Sequence, residues 1–311
     1  MNFFIGVTDN NWFELLSSLS QKNAVDEVNF WQPSGSRRFQ AITPGEPFLF
    51  KLHSPLNFIV GGGFFAHFSL LSSTIAWDAF GELNGARTYS EMRASISRLR
   101  SKQDLPTADF QIGCILLEQP FFFSQRNWIP VPADWSPNIV QGKTYSMLVE
   151  PGKSLWDRVR LLLGTPAYRR DQSSVDEQPR FGKETLVKPR LGQGSFKVLV
   201  TDAYRRSCAI TAERALPALE AAHIKPYASG GEHRIDNGVL LRADMHRLFD
   251  RGYITITGDL RVEVSRKIRE EFENGRYYYT FHGKSVSKPD LRFDPPEKDF
   301  LIWHNEQIFK G

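Results

Sequence analysis

Apolar positions along the first ~150 residues fall in short dense runs. "RFQAITPGEPFLFKLHSP", "NFIVGGGFFAHFSLL", "FQIGCILLEQPFFF" and "YSMLVEP" are apolar or aromatic stretches punctuated by Pro and Gly, the pattern of β-strands. Helical spacing interrupts them in NWFELLSSLS, near 11–20, and in YSEMRASISRLRSK, near 89–102. SLWDRVRLLLG, 154–164, predicts a short helix closed by Gly164. Apolar periodicity then fails over 165–194, where Pro, Gly and charged residues dominate; this stretch reads as a linker. Beyond it, SFKVLVTDAYRRSCAIT reads as helix. "LEAAHIKPY" is a strand ending at Pro226, "ASGGEHRIDNG" is loop and turn, and "VLLRADMHRLFDRG" begins as a strand and becomes a helix that Gly252 ends. The tail "DPPEKDFLIWHNEQIFKG" carries an apolar half suited to docking on the body.

The pattern predicts an α+β chain of two domains, 1–164 and 195–311, around the 165–194 linker; 311 residues suffice for both. No run of 18 or more apolar residues occurs, and the N-terminus lacks a basic segment before its apolar one. A cytoplasmic protein without membrane spans is therefore the expectation. The two cysteines, Cys114 and Cys208, cannot form a disulfide framework or a four-cysteine zinc site, and Cys208 reads as a buried small residue. The net charge is +4, with the first 150 residues slightly acidic and the remainder basic. The basic part fits an acidic partner such as nucleic acid.

That basic part also holds His223, His233 and His246, three of the seven histidines. His246 and Asp250 stand at i and i+4 and share a helix face. One imidazole and one carboxylate there, against a strand bearing a second imidazole, can hold a divalent cation and activate a water beside it. His233, on the loop, reads as a structural histidine. Arg205, Arg206, Arg242, Arg247 and Arg251 are candidates for DNA phosphate contacts.

His223 in "AAHIKP", Asn237 in "DNG" and His246 in "DMHRLFD" resemble the HNH, or ββα-metal, nuclease motif. "RRSCAIT" upstream and "NGVLLRADMHRLFDRGYITI" downstream are similar to the branch found in bacterial restriction endonucleases, and the resemblance spans about 190–290. It implies that His223 is the general base, that Asn237 orients His223 or its loop, and that His246 binds a divalent metal. Mg²⁺ or Mn²⁺ is expected, with Ni²⁺ or Co²⁺ also open; the products would be a 3′-hydroxyl and a 5′-phosphate. Many relatives place Asp or His directly before the base, where this chain has Ala222. Asp250, and after it Glu220, are the candidates for the missing ligand. The CxxC pairs that hold structural zinc in many HNH proteins are absent, so no structural zinc is expected.

"NFWQPSGSRRFQAITPGEPFLFKLHSPLNFIVGGG" resembles the PUA superfamily, particularly its EVE-like branch. The resemblance implies a β-barrel with flanking helices over about 1–150 that binds a flipped modified base. Extruding a base costs a few kcal/mol, and stacking on an aromatic ring returns roughly 1–3 kcal/mol. Trp31 is the first choice for the stacking wall, Ser34 and Ser36 for hydrogen bonds, Phe65 and Trp77 for further walls. Together the resemblances imply a modification-dependent restriction endonuclease of type IV character. Its partner would be double-stranded DNA carrying 5-methyl- or 5-hydroxymethylcytosine, and it would act as a homodimer if it breaks both strands. A nuclease reading unmodified sequence or RNA, and a catalytically silent nucleic-acid reader, stand beside it as alternatives.

Overall fold

The computed structural model describes residues 1–34, 38–100, 109–164 and 192–311. The chain divides into two compact units, Met1–Leu186 and Val187–Gly311. Of the expected linker, only 192–194 lies within the described residues. No helix among the described residues is long and apolar enough to cross a membrane.

The N-terminal unit runs β1 (Asn2–Thr8), α1 (Asn10–Lys22), β2 (Glu27–Gln32), β3 (Pro47–Leu52), β4 (Phe58–Ser72), α2 (Ser73–Phe80), α3 (Tyr89–Leu99), β5 (Gln111–Phe122), β6 (Ile129–Pro130), β7 (Gly142–Ser146) and α4 (Gly152–Leu163). The helices start where side chains can satisfy orphan N–H groups. Asp9 accepts from Asn11 N, Ser72 from Ile75 N and Thr88 from Glu91 N, heading α1, α2 and α3. Helix α4 ends with Gly164 as its cap, although that glycine stays right-handed at φ −78°.

One sheet carries the unit, in the order β2-β5-β4-β3-β1-β7, with β6 paired to β4. Among the described residues no pair joins β2 to β7, so the expected barrel has strands but no closing pair. The central β4–β5 pairing is tight because of glycine. A Cβ on Gly61 would stand 2.2 Å from the Phe121 carbonyl oxygen.

The sheet buries apolar side chains on both faces, which uses much of the Phe content. Phe30, Phe48, Phe50 and Phe65 pack with Trp12, Phe13 and Leu16 of α1. Phe3, Ile5, Leu49 and Phe121 pack with Leu155, Trp156 and Val159 of α4.

Glu27 and Glu118 face each other across β2 and β5, both buried. Oε1 of Glu118 has no hydrogen-bond partner among the described residues. Burial first, and the Glu27 charge second, push the Glu118 carboxyl up to about 8.

The C-terminal unit runs α5 (Gln193–Ala203), β8 (Leu219–His223), β9 (Gly238–Arg242), α6 (Ala243–Asp250), β10 (Ile254–Ile256), β11 (Val262–Val264), α7 (Lys267–Phe272), α8 (Arg276–Tyr279) and α9 (Lys298–Gln307). β8 and β9 form an antiparallel pair, as do β10 and β11. The core joins Phe196, Leu199 and Val200 of α5 to Ala222, Val239 and Leu241 of the hairpin, Met245 and Phe249 of α6, and Leu301 of α9.

The segment 195–211, read as one helix, leaves helical structure after Ala203. Arg205 and Arg206 take left-handed φ of 52° and 58°, and Arg206 N bonds back to Thr201 O, a helix-ending loop-back that does not require glycine. Gly252 does end α6 in the left-handed region, at φ +73°. A Cβ there would meet the Ile308 carbonyl oxygen at 1.9 Å, because the chain after α9 runs against it. Lys310 N donates to Gly252 O on the same seam.

The buried acid pair gives a pH signature. Glu118 binds its proton more tightly in the folded chain than in the unfolded one, so between about pH 4.5 and 8 the fold holds more protons and loses stability as pH rises. Glu118→Gln should therefore melt close to wild type near pH 5 and increasingly above it toward about pH 8.5. Thermal melts across that range, with a constant difference between the two proteins, would count against a buried protonated Glu118.

Candidate active site

The site is built on the β8–β9 hairpin and on α6, which follows β9 without a loop. In the pairing register His223 lies opposite Gly238. A Cβ on Gly238 would fall 2.4 Å from Val200 Cγ2 and 3.0 Å from the Phe196 ring, so glycine lets α5 close on the hairpin. Phe196 in turn stacks on the His223 ring at 3.9 Å and 9°.

Asn237 is fully buried and holds the loop between the strands. Its Oδ1 accepts from Lys225 N at 2.8 Å, and its Nδ2 donates to Lys225 O and to Glu232 O, both at 2.9 Å. Its own carbonyl accepts from Ile224 N. Asn237 therefore acts on the backbone of the loop; its amide makes no bond to a histidine ring.

His223, His246, Asp250 and Tyr227 line one cleft of roughly 300 Å³, with His304 and Ile308. Burial first, then the neighbouring His233 and His246, pull the His223 pKa down to about 4, against an opposing pull from Asp250. It is neutral at pH 7, the state a base or a metal ligand requires. Burial alone would lower His246, but its bonds to Asp250 and Glu220 outweigh burial and raise its pKa.

The two nitrogens of His246 serve different partners. Nδ1 lies 2.6 Å from Glu220 Oε2, and Nε2 lies 3.3 Å from Asp250 Oδ2. Ring nitrogens point away from each other, so one ion cannot bind His246 together with both carboxylates. Asp250 is on the cleft side; Glu220 is not among the lining residues. Glu220 thus meets the edge of the His246 ring that faces away from the cleft, the place of an outer partner.

Ala222 is buried and offers no donor. Among the described residues, no group of three His, Cys, Asp or Glu forms a metal cage. A site of one imidazole and one carboxylate still fits a hard cation that keeps waters and takes phosphate oxygens as further ligands. It does not fit a closed structural zinc site.

His233 and His304 take places that the sequence did not indicate. Nδ1 of His233 lies 2.9 Å from His223 Nε2. The available signal was its position on the loop joining the two motif strands. His304 is buried on α9, stacked on Phe249 at 3.7 Å, with Nδ1 at Thr255 Oγ1 and Nε2 at Phe249 O. Both nitrogens are engaged and burial pulls its pKa to about 4, so it forms part of the cleft wall and no ligand. It lies 58 residues beyond His246, and no local pattern connects the two.

The arginines separate into two groups. Arg242 makes two bonds to Asp244, at 2.6 and 2.7 Å, and a third to Tyr277 Oη, which ties it to the start of α6. Arg205 pairs with Asp290 and Arg206 with Asp202. Arg247 and Arg251 are exposed and make no side-chain bond to a described residue. They follow His246 and Asp250 by one position each, so they flank the face that carries the site.

The candidate base pocket does not come together as expected. Trp31 is half-buried at the end of β2, and its Nε1 donates to Asn84 O at 2.9 Å. Asn84 also bonds Ala76 O, beside the half-buried Trp77, whose ring meets Tyr89. Phe65 lies in the core with Phe30, the neighbour of Trp31 on β2. Side chains alternate across a sheet, so Phe65 and Trp31 occupy opposite faces and Phe65 is a core residue. Ser34 is exposed, and Ser36 lies outside the described residues.

A family model described as HNH endonuclease matches residues 208–257. That segment of the chain is similar to the HNH endonuclease family. The match contains His223, Asn237, His246 and Asp250. No curated protein matches the chain. Two crystal structures of the ASCH protein of Zymomonas mobilis, one of them a point mutant, are similar over 51% of this chain. The mutant shows 10% identity, 97% of its own chain covered and a TM-score of 0.30; the other shows 11%, 94% and 0.31.

The division of labour around His246 can be measured without catalysis. In calorimetric titrations with Mn²⁺, Asp250→Asn should lose most of the affinity. Glu220→Gln should keep the stoichiometry and bind about 10–100-fold more weakly, the usual cost of a lost outer partner. Isotherms for Asp250→Asn that overlay wild type would remove Asp250 from the site.

Proposed function

We propose that this protein is a metal-dependent HNH endonuclease of DNA whose N-terminal unit selects DNA carrying a modified base, as a type IV-like restriction enzyme of the cytoplasm does. The observation that carries the nuclease reading is the neutral His223 sharing one cleft with His246 and Asp250.

A divalent ion at His246 and Asp250, Mg²⁺ or Mn²⁺ by its donor set, would stabilise charge on the scissile phosphate and the leaving oxygen. His223 accepts the proton of the attacking water; Phe196 behind its ring keeps it from turning. Such a base typically contributes about 10²–10⁴-fold. Asn237 holds the loop and Glu220 holds His246. Arg247 and Arg251 supply cations for phosphates, and Arg205, Arg206 and Arg242 do so only by exchanging a carboxylate for a phosphate. The site acts on one strand, so a double-strand break requires two copies, most simply a homodimer.

The modified-base reading rests on the likeness of the N-terminal sequence to the EVE-like branch. Trp31, with Ser34 and Ser36 after it, is its centre. Phe65 leaves the pocket, and Trp77 stays as the neighbour reached through Asn84. 5-Methyl- and 5-hydroxymethylcytosine are the bases proposed.

His223→Ala should lower cleavage by at least about 10²-fold while leaving folding and DNA binding close to wild type. Near wild-type cutting by the purified variant would remove His223 from the role of base. Trp31→Ala should keep metal-dependent cutting and lose the preference for modified DNA, measured on paired oligonucleotides that differ only at cytosine. If wild type cuts both members of every pair equally, the reader assignment falls and an HNH nuclease with another specificity takes its place.

A further inference from the structure

His233 has no part in the mechanism above, yet its ring sits against the base. Four rings follow one another across the site. Phe196 is buried and stacks on His223. His223 meets His233 at 4.9 Å with the planes tilted by 58°, so these two rings are not stacked. That bond is His223 Nε2 to His233 Nδ1, 2.9 Å. His233 then stacks on Tyr227 at 5.0 Å and 9°, and Tyr227 is 68% exposed. The series leads from the core, past the base, to the rim of the cleft. Nδ1 of His223 makes no hydrogen bond to a described residue.

We propose that His233 is the positioning residue and onward proton acceptor of His223: it holds His223 in the tautomer with a proton on Nε2 and a bare Nδ1, and takes the Nε2 proton as Nδ1 receives one from water. The proposal rests on the nuclease reading. The need for it is electrostatic. A positive charge left on His223 would lie between the buried Phe196 face and a second imidazole.

The attacking water loses one proton to His223 Nδ1, and its oxygen forms the new bond to phosphorus. The bond from phosphorus to the 3′ oxygen breaks with its electron pair on that oxygen, which takes a proton from solvent. The proton on His223 Nε2 passes to His233 Nδ1, and His233 gives up its Nε2 proton toward the rim at Tyr227. Both rings end neutral with protons on Nδ1 and exchange with water before the next turnover.

Two measurements on the full chain test this. The first is a ¹⁵N spectrum of the histidine rings without DNA or metal at about pH 7, where His223 should be neutral. His223 should carry its proton on Nε2, with Nδ1 bare; a proton on Nδ1 overturns the proposal. The second is single-turnover cleavage at saturating DNA and Mn²⁺. His233→Gln accepts the Nε2–H bond but cannot carry a proton onward. It should bind DNA as wild type does and cut about 10-fold or more slowly, a part of what a general base supplies. Added imidazole should restore His233→Ala at least about fivefold and leave His233→Gln unchanged, since only the former has space for it. A wild-type rate in His233→Gln, or no response of His233→Ala to imidazole, overturns the proton transfer. Should both variants fail to fold, the wild-type ring spectrum still decides the tautomer on which the transfer depends. If wild type cuts no DNA, the nuclease reading fails separately, and the same spectrum judges the histidine pair.

Discussion

The amide of Asn237 is the constraint on which the rest of the site depends. A fourteen-residue excursion between two strands must return in register and leave one histidine at its start correctly aimed. Asn237 achieves this by bonding the backbone at Lys225 and Glu232 from a fully buried position. Leaving a buried donor or acceptor unpaired costs about 1–3 kcal/mol, so three bonds on one side chain make alternative loop paths expensive. His223 lies just before the tied segment and His233 within it, and their 2.9 Å contact is a consequence.

The second constraint is the geometry of imidazole. His246 is held from one edge by Glu220 on β8 and meets Asp250 of its own helix at the other. A ring held this way presents one nitrogen to the cleft. With Ala222 offering no donor, an ion held at His246 and Asp250, as proposed, would take its remaining ligands from water and substrate. On that proposal the ion's coordination would be completed by a phosphate, so its charge would be placed together with the nucleic acid.

The N-terminal unit follows a different rule. Its sheet is apolar on both faces, so strand alternation decides which aromatics are structural. Phe30 and Phe65 go to one face and Trp31 to the other. Trp31 is held by a single bond from its indole nitrogen to Asn84 and stays half-buried. The pairing that orders these strands also sets Glu27 opposite Glu118, a buried acid pair that an apolar sheet tolerates by keeping a proton on it.

The sequence by itself determined the strands, helices and turn residues of the hairpin-and-helix segment. Apolar periodicity, Gly252 and the i, i+4 relation of His246 and Asp250 are local properties, and local properties survive in a string of letters. It also carried His223, Asn237 and His246, because their spacing is set by strand, loop and helix lengths. Only the tertiary structure decided the places of Glu220, His233, Phe65 and His304. Glu220 and His246 are 26 residues apart and meet because β8 packs beside α6. His233 looked like an isolated loop histidine until the loop folded back on β8, and His304 reaches the cleft from a helix, 58 residues beyond His246. Phe65 looked like Trp31 in composition, and the pleat placed them on opposite faces. Direction across a ring or a sheet is a property of packing, and residue type and spacing do not record it.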